Sequence, residues 1–289
     1  MKDLIVNKKY HNKKLSKFIL DSIPELTFNN LKMILRKKDI KVNDTRISKD
    51  CIIQNCDKIT IYIPNNISKK QLPKIDKFYE DKNILIINKP QNLEVTGTNS
   101  LTTLIHEMYS DSDFKPMPCH RLDRNTCGLI LFAKNQKSLD ILLKKFKNHE
   151  IEKHYYAWVY SIPKENTKKM TAYLFKDNKK SMVYISDIPS KGYQKIITNY
   201  TVIKKYNNNT CLLDIEILTG KTHQIRAHLA HIGLPIIGDG KYGKNQINKN
   251  FKCKYQCLCS YKIKFNFNDN NGILDYLEGK EFLLTNIVK

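Results

Sequence analysis

His120-Arg-Leu-Asp-Arg-Asn-Thr-Cys-Gly128 runs directly into the apolar stretch Leu129-Ile-Leu-Phe-Ala133. The first nine residues read as a loop and the next five as a buried strand. Asp123 stands two residues from Arg121 and next to Arg124, so its carboxylate is surrounded by positive charge, which favours the ionised form. Such a group suits a nucleophile or a base. Arg121 and Arg124 are also residues suited to holding phosphate groups. By charge pattern alone, a loop salt bridge or an Asp-type turn explains the stretch better, because ion-pair networks of this kind are common.

Around this loop the chain alternates strand-like runs with few helices. Ile84–Ile87, Leu129–Ala133, Tyr155–Val159, Ile196–Ile203 and Leu212–Leu218 are the runs, and Asp177-Asn178 and Asn207–Asn209 supply hairpin turns between neighbours. One helix places Leu139, Leu142, Leu143 and Phe146 on a single stripe. Another runs from about Thr222 to Ile232 and stops at Gly233, with Ile225, Leu229 and Ile232 on its apolar face and His223 and Arg226 on another. The spacing predicts an α+β domain over 78–289 with a mixed, mainly antiparallel sheet flanked by helices and loops.

Residues 1–63 read as a separate small α/β module. Leu15, Phe18 and Ile19 share one face of a first helix; Phe28, Leu31 and Leu35 share one face of a second, capped by Thr27. Lys32 and Arg36 lie on an exposed face of that second helix. A turn at Asn43-Asp44 and the alternating Lys58-Ile-Thr-Ile-Tyr-Ile63 close the module. The polar, proline-bounded stretch that follows marks 64–77 as a linker.

Lys and Arg total 50 against 28 acidic residues in 289, a formal +22, so polyanions are the first partners to expect. No run approaches the ~20 apolar residues needed to span a bilayer, and the N-terminus lacks a secretory pattern, so a cytoplasmic location is expected. Eight scattered cysteines fit reduced thiols. Cys253, Cys257 and Cys259 form the tightest group but lack a paired C-x-x-C. His120, His223, His228 and His231 lack carboxylate or thiolate partners at ligand spacing. No metal is expected.

His-Arg-Leu-Asp followed by Thr and Gly at this spacing resembles the central signature of the RluA-type pseudouridine synthases. Three further segments match that family in order: Asn88-Lys89-Pro90; Lys153-His-Tyr155-Tyr-Ala157-Trp-Val159; and Leu218-Thr-Gly-Lys-Thr-His-Gln-Ile-Arg226-Ala-His-Leu229, continuing through Gly233 and Asp239 to Tyr242-Gly243. Leu258–Phe265 fits the family's last core strand. Cys127 stands where the family usually has Ser. Residues 1–63 resemble the RNA-binding module first named for small-subunit ribosomal protein four. Val42-Asn43 and Asp57 match its pattern, while Asp39 and Cys56 stand where it usually has Gly.

These resemblances imply the pseudouridine synthase fold and isomerisation of uridine to pseudouridine in structured RNA, with large-subunit ribosomal RNA favoured over transfer RNA. They imply Asp123 as the catalytic carboxylate, Arg226 as its partner and Tyr155 stacked on the target base. Arg121, Arg124, His120, Lys32, Arg36, Lys89, Lys221 and His223 are the expected RNA contacts. The reaction moves no electrons in or out, so no cofactor is expected, and the chain is expected to act as a monomer. Two other classes remain open: a non-catalytic RNA-binding or ribosome-assembly factor, and a base-excision glycosylase, which would release the base.

Overall fold

The computed structural model of this chain describes residues 1–24, 26, 28–63, 75–269 and 271–285. They form two compact units, Met1–Pro73 and Lys74–Lys289. Among the described residues no helix is long and apolar enough to cross a membrane.

The first unit contains β1 (Lys2–Ile5), β2 (Lys13–Lys14), α1 (Leu15–Ser22), α2 (Phe28–Arg36), β3 (Ile40–Val42), β4 (Thr45–Ile47), β5 (Ile52–Ile53) and β6 (Lys58–Ile61). Its main sheet has the order β1-β6-β3-β4, and β2 pairs with β5. Leu15, Phe18 and Ile19 of α1 and Leu31, Ile34 and Leu35 of α2 bury a common core with Ile40, Ile59 and Ile61. Phe28, expected on the buried face, is 52% exposed. It opens α2 ahead of the apolar stripe, Ile34 fills the core, and the Lys32 ammonium lies 4.7 Å from the Phe28 ring centroid. The cap expected of Thr27 lies outside the described residues.

Asn43 and Asp44 both take positive φ, +47° and +65°, as a two-residue turn of the primed type demands between β3 and β4. Asn43 then spans to the last strand: its Nδ2 donates to Asp57 at 2.8 Å and its Oδ1 accepts from the Lys58 amide at 2.8 Å. Cys56 adopts φ +69°; at the other expected Gly turn the left-handed residue is Lys38, at +58°, one before Asp39.

The second unit begins with β7 (Asp76–Glu80), whose first two residues fall inside the stretch expected to be linker; 64–74 lie outside the described residues. It continues with β8 (Ile84–Lys89), α3 (Leu101–Met108), β9 (Met117–Pro118), β10 (Cys127–Ala133), α4 (Gln136–Lys147), β11 (Ile151–Tyr160), β12 (Thr167–Asp177) and β13 (Met182–Ser186). Then come β14 (Gln194–Tyr206), β15 (Thr210–Ile217), α5 (Gln224–His231), α6 (Asn245–Asn250), β16 (Leu258–Phe265) and β17 (Glu281–Leu283). The sheet order is β13-β12-β14-β15-β11-β16-β10-β8-β7, with β9 on β10 and β17 on β16. Among the described strands only β10 and β16 run parallel. The mixed, mainly antiparallel sheet of the expected α+β class is what the chain adopts.

α4 departs from its expected stripe at one position. Leu142 is fully buried, but Leu143 is 47% exposed. Lys145 occupies the buried place, with its ammonium 2.5 Å from Glu150, a pair that is almost wholly enclosed. α5 begins two residues later than expected and leaves Ile232 38% exposed, just before Gly233 (φ +81°) ends it.

β10 meets β16 at Cys127 and Gly128, opposite Cys259 and Ser260. Gly128 has φ +104°, and a Cβ there would lie 2.1 Å from the Ser260 carbonyl oxygen. Both the dihedral and the close approach require glycine. Gly128→Ala is therefore expected to lower stability by about 2–4 kcal/mol, read as a lower urea midpoint at constant slope. An unchanged midpoint would show that the two strands can part here without loss.

Candidate active site

The loop 120–126 leaves β9 and returns into β10, pinned from three sides. Leu122 is buried in the main core. The Thr126 amide donates to Asp123 O at 3.1 Å, a tight turn, and Thr126 Oγ1 accepts from buried Gln256 at 2.7 Å. Lys89 supplies the third hold: fully buried, it donates to the carbonyls of Pro90 (2.9 Å), Leu93 (2.8 Å) and Arg124 (3.1 Å). Burial pulls its ammonium down to about 8. Lys89 was expected to contact RNA. All three of its donors are instead spent on backbone, fastening the end of β8 to the loop that carries Asp123.

Cys127 is half-buried where β10 meets β16. Its Sγ donates to Leu258 O at 3.6 Å, and it lies against the Cys259 thiol. Of the three cysteines closest in sequence, Cys257 sits 3.5 Å from Cys253 while Cys259 turns to Cys127. All eight cysteines are free.

Arg226 joins the loop to the opposite side of the site. Its Nη1 donates to Asp123 Oδ2 at 2.8 Å, while Nε and Nη2 donate to the two oxygens of Asp239 at 2.7 and 3.0 Å. Asp239 is 1% exposed and also accepts from the amides of Lys241 and Tyr242. Burial pushes the Asp239 carboxyl up, but these bonds and the guanidinium charge outweigh it and hold the group below the usual carboxylate range. The Tyr242 ring lies 5.2 Å from the guanidinium carbon, and its hydroxyl meets His223 Nδ1 at 2.9 Å and accepts from the Val183 amide.

α5 is set by two local features. His223 takes a left-handed φ of +54° just before it. Gln224, buried at its start, accepts from Thr219 and the Lys221 amide and donates to Ile197 O and Thr198. Those bonds fix the Thr219–His223 loop over the pocket.

The cavity so formed is about 350 Å³ and is lined by Asp123, Tyr155, Arg226, Lys153, Lys221 and Leu258, among others. That volume falls within the ordinary range for small-molecule sites. Tyr155 is 5% exposed. Burial first, and the Asp123 charge second, push its phenol well above the usual tyrosine range. The pairing of β11 with β16 shifts register between His154 and Tyr155, the sort of bulge that re-aims a side chain beside a site.

Asp123, Tyr155 and Arg226 thus converge, and Arg121, His120, Lys221 and His223 also line the cavity. His120 serves the fold rather than a phosphate: its Nε2 accepts from the Leu131 amide at 3.1 Å, and burial drives the imidazole down to about 3, leaving it neutral. Arg124 is exposed and donates to Asn92 at 3.1 Å. Lys32 and Arg36 lie in the other unit, both exposed. His228, against Thr198, and His231, against Asp187, are satisfied polar groups.

Two residues beyond the expected set are built into the site. Asp239 anchors Arg226, and Lys153 reaches the cavity with its ammonium 5.1 Å from the Phe146 ring centroid, where burial lowers it to about 8. Both stand inside the matched segments, which was the available signal.

Residues 83–231 match the family described as RNA pseudouridylate synthase. The ribosomal large subunit pseudouridine synthase C of Rickettsia felis is 33% identical over 255 residues, covering 81% of this chain and 83% of that protein. An uncharacterized RNA pseudouridine synthase of Mycoplasma capricolum is 30% identical over 300 residues, covering 97% of this chain and 96% of its own. Human RNA pseudouridylate synthase domain containing 1 shares the fold, with a TM-score of 0.58 at 18% identity over 75% of this chain and 93% of that one.

Proposed function

The chain belongs to the RNA pseudouridylate synthase family, and we propose that it isomerises uridine in large-subunit ribosomal RNA, with Asp123 as the reacting carboxylate. The carrying observation is the 2.8 Å bond that holds Asp123 to Arg226 at the wall of the cavity. The similarity to relatives named for the large ribosomal subunit supports this choice of RNA.

The reaction breaks the bond between uracil N1 and the ribose, turns the base, and rejoins it through carbon five. Reaching that bond requires flipping the nucleotide from its stack, which costs a few kcal/mol and least in loops and bulges. Asp123 then attacks the anomeric carbon or removes a ribose proton to give a glycal. In either route Arg226 positions the carboxylate, because the guanidinium is itself fixed by two bonds to Asp239. Tyr155 holds the uracil face. Burial and the Asp123 charge raise its phenol, which favours the protonated form. Lys153 and Lys221 hold the flanking phosphates, and Arg121 takes the space that the flipped base leaves.

Residues 1–63 serve as the RNA-finding module, and the catalytic domain begins with β7 at Asp76. Lys32 and Arg36 present adjacent charges on the exposed side of α2. Changing both to Ala is expected to weaken RNA binding and to flatten its log–log salt dependence by about one unit per lost phosphate contact. Unchanged affinity and slope in filter binding would remove this face from the RNA interface.

Mapping pseudouridines in total RNA from cells with and without this chain tests the substrate. The expected result is loss of one or a few large-subunit sites. Intact large-subunit sites with a missing transfer-RNA pseudouridine would overturn the ribosomal assignment and keep the chemistry.

A further inference from the structure

Tyr155 and Lys153 of β11 line the cavity, so His154 between them and Glu152 two residues before it lie on the opposite face of the sheet. There the register sets His154 opposite Glu216 of β15, with Asp214 two residues earlier in that strand. One ligand-type atom from each of Glu152, His154 and Glu216 lies within 4.8 Å of the others. All three residues are half-buried.

The imidazole is oriented. Its Nδ1 sits 3.2 Å from both oxygens of Asp214, and its Nε2 faces Glu152 Oε2 at 3.7 Å. Asp214 is in turn held by the Tyr261 hydroxyl, whose ring stacks on Tyr156 at 3.7 Å. Each glutamate is also steadied: Asn199 donates to Glu216 at 2.7 Å, and Asn266 donates to Glu152. A carboxylate on the far nitrogen of a histidine is the usual outer support of a metal-binding imidazole, fixing its tautomer and aiming the other nitrogen.

Charge points the same way. Among the described residues no Lys or Arg nitrogen comes within 4.0 Å of Glu152, Asp214 or Glu216, and the ion-pair contacts of Glu152 and Asp214 are to His154. Lys262, across from His154 in β16, turns to Glu281 at 3.8 Å, and Lys264 lies across from Glu152 without an ion pair to it. Three carboxylates around one imidazole, in a chain of net +22, leave local negative charge for a cation to balance.

We propose that Glu152, His154 Nε2 and Glu216 bind a divalent ion of the zinc class, with Asp214 as the outer carboxylate. One nitrogen and two carboxylate oxygens form a mixed donor set that zinc accepts at about 2.0–2.2 Å, which the side chains reach by closing inward. Its place beside the bulge between His154 and Tyr155 makes the ion a fastener for the strand that presents the base-stacking ring. The histidines weighed in the sequence did not include His154, because its partners are 62 residues away in the chain or on the same strand and only the register unites them.

The test is equilibrium dialysis of the untagged full chain against Zn²⁺, with metal analysis and thermal melting. The expected result is one tightly retained zinc per chain that raises the melting temperature. His154→Ala and Glu216→Gln each weaken retention at least tenfold and abolish the thermal shift. A Cys253→Ser, Cys257→Ser double variant, which removes a close pair of thiol donors elsewhere in the chain, retains the ion. Equal zinc uptake by the wild type and the His154 and Glu216 variants overturns the proposal. So does loss of the ion from the double cysteine variant, or no retained zinc in the wild type, in which case His154 is only the hub of an ion-pair cluster.

Discussion

Asp123→Asn is expected to reduce pseudouridine formation by at least about four orders of magnitude, the scale on which loss of a covalent or proton-transfer group acts, while RNA binding and folding stay close to wild type. The geometry supports that separation. Arg226 Nη1 donates to Asp123 Oδ2 at 2.8 Å, a bond that an amide oxygen can still accept. Two carboxylates now share one guanidinium; neutralising Asp123 leaves Arg226 with Asp239, a balanced pair. Asp123 is also the more exposed partner, at 23% against 1% for Asp239. The stability change should therefore stay within about 1 kcal/mol. Tritium release from RNA labelled at carbon five of uridine measures the reaction, and filter binding measures the RNA complex. Wild-type release from a variant whose intact mass excludes deamidation would take Asp123 out of the mechanism. Loss of binding along with activity would make the loop a recognition element.

Much of this was readable from the chain, and the parts that were not share a physical reason. Strands showed through their apolar runs, and hairpins through Asn-rich turns, because both are local signals. Asp123 stood out for its charged neighbours, yet those neighbours alone argued for a salt bridge, and the ordered companion segments tipped the reading. What stayed hidden depends on burial. Lys89 and His120 look like phosphate contacts in a basic sequence, but the fold spends their nitrogens on three carbonyls and an amide. The α4 stripe broke at Leu143 for a similar reason: Lys145 and Glu150 satisfy each other inside, a contact that periodicity does not register. Asp239 is a further case: it stood inside a matched segment, but its bond to Arg226 thirteen residues earlier shows only in the fold.

Arg226→Met is expected to remove activity and to destabilise the fold by about 3–5 kcal/mol, the range for stripping the partner from a buried charge. Asp239 would keep only the Lys241 and Tyr242 amides for a carboxylate that is almost fully enclosed. Adding Asp239→Asn to Arg226→Met removes that uncompensated charge, so the double variant should recover much of the stability and none of the activity. Such a cycle distinguishes two roles for one side chain. The bonds to Asp239 hold the segment after α5 in place, and the bond to Asp123 positions the reacting carboxylate. Arg226→Lys is the sharper probe of positioning: a single ammonium preserves charge but has no rigid fork with which to span both carboxylates. It should be more stable than the Met variant yet still low in turnover, with the loss falling on kcat rather than on RNA affinity. Urea unfolding and single-turnover kinetics read the two quantities separately. Near-wild-type turnover in Arg226→Lys would mean that charge alone suffices and that the two-carboxylate bridge is structural.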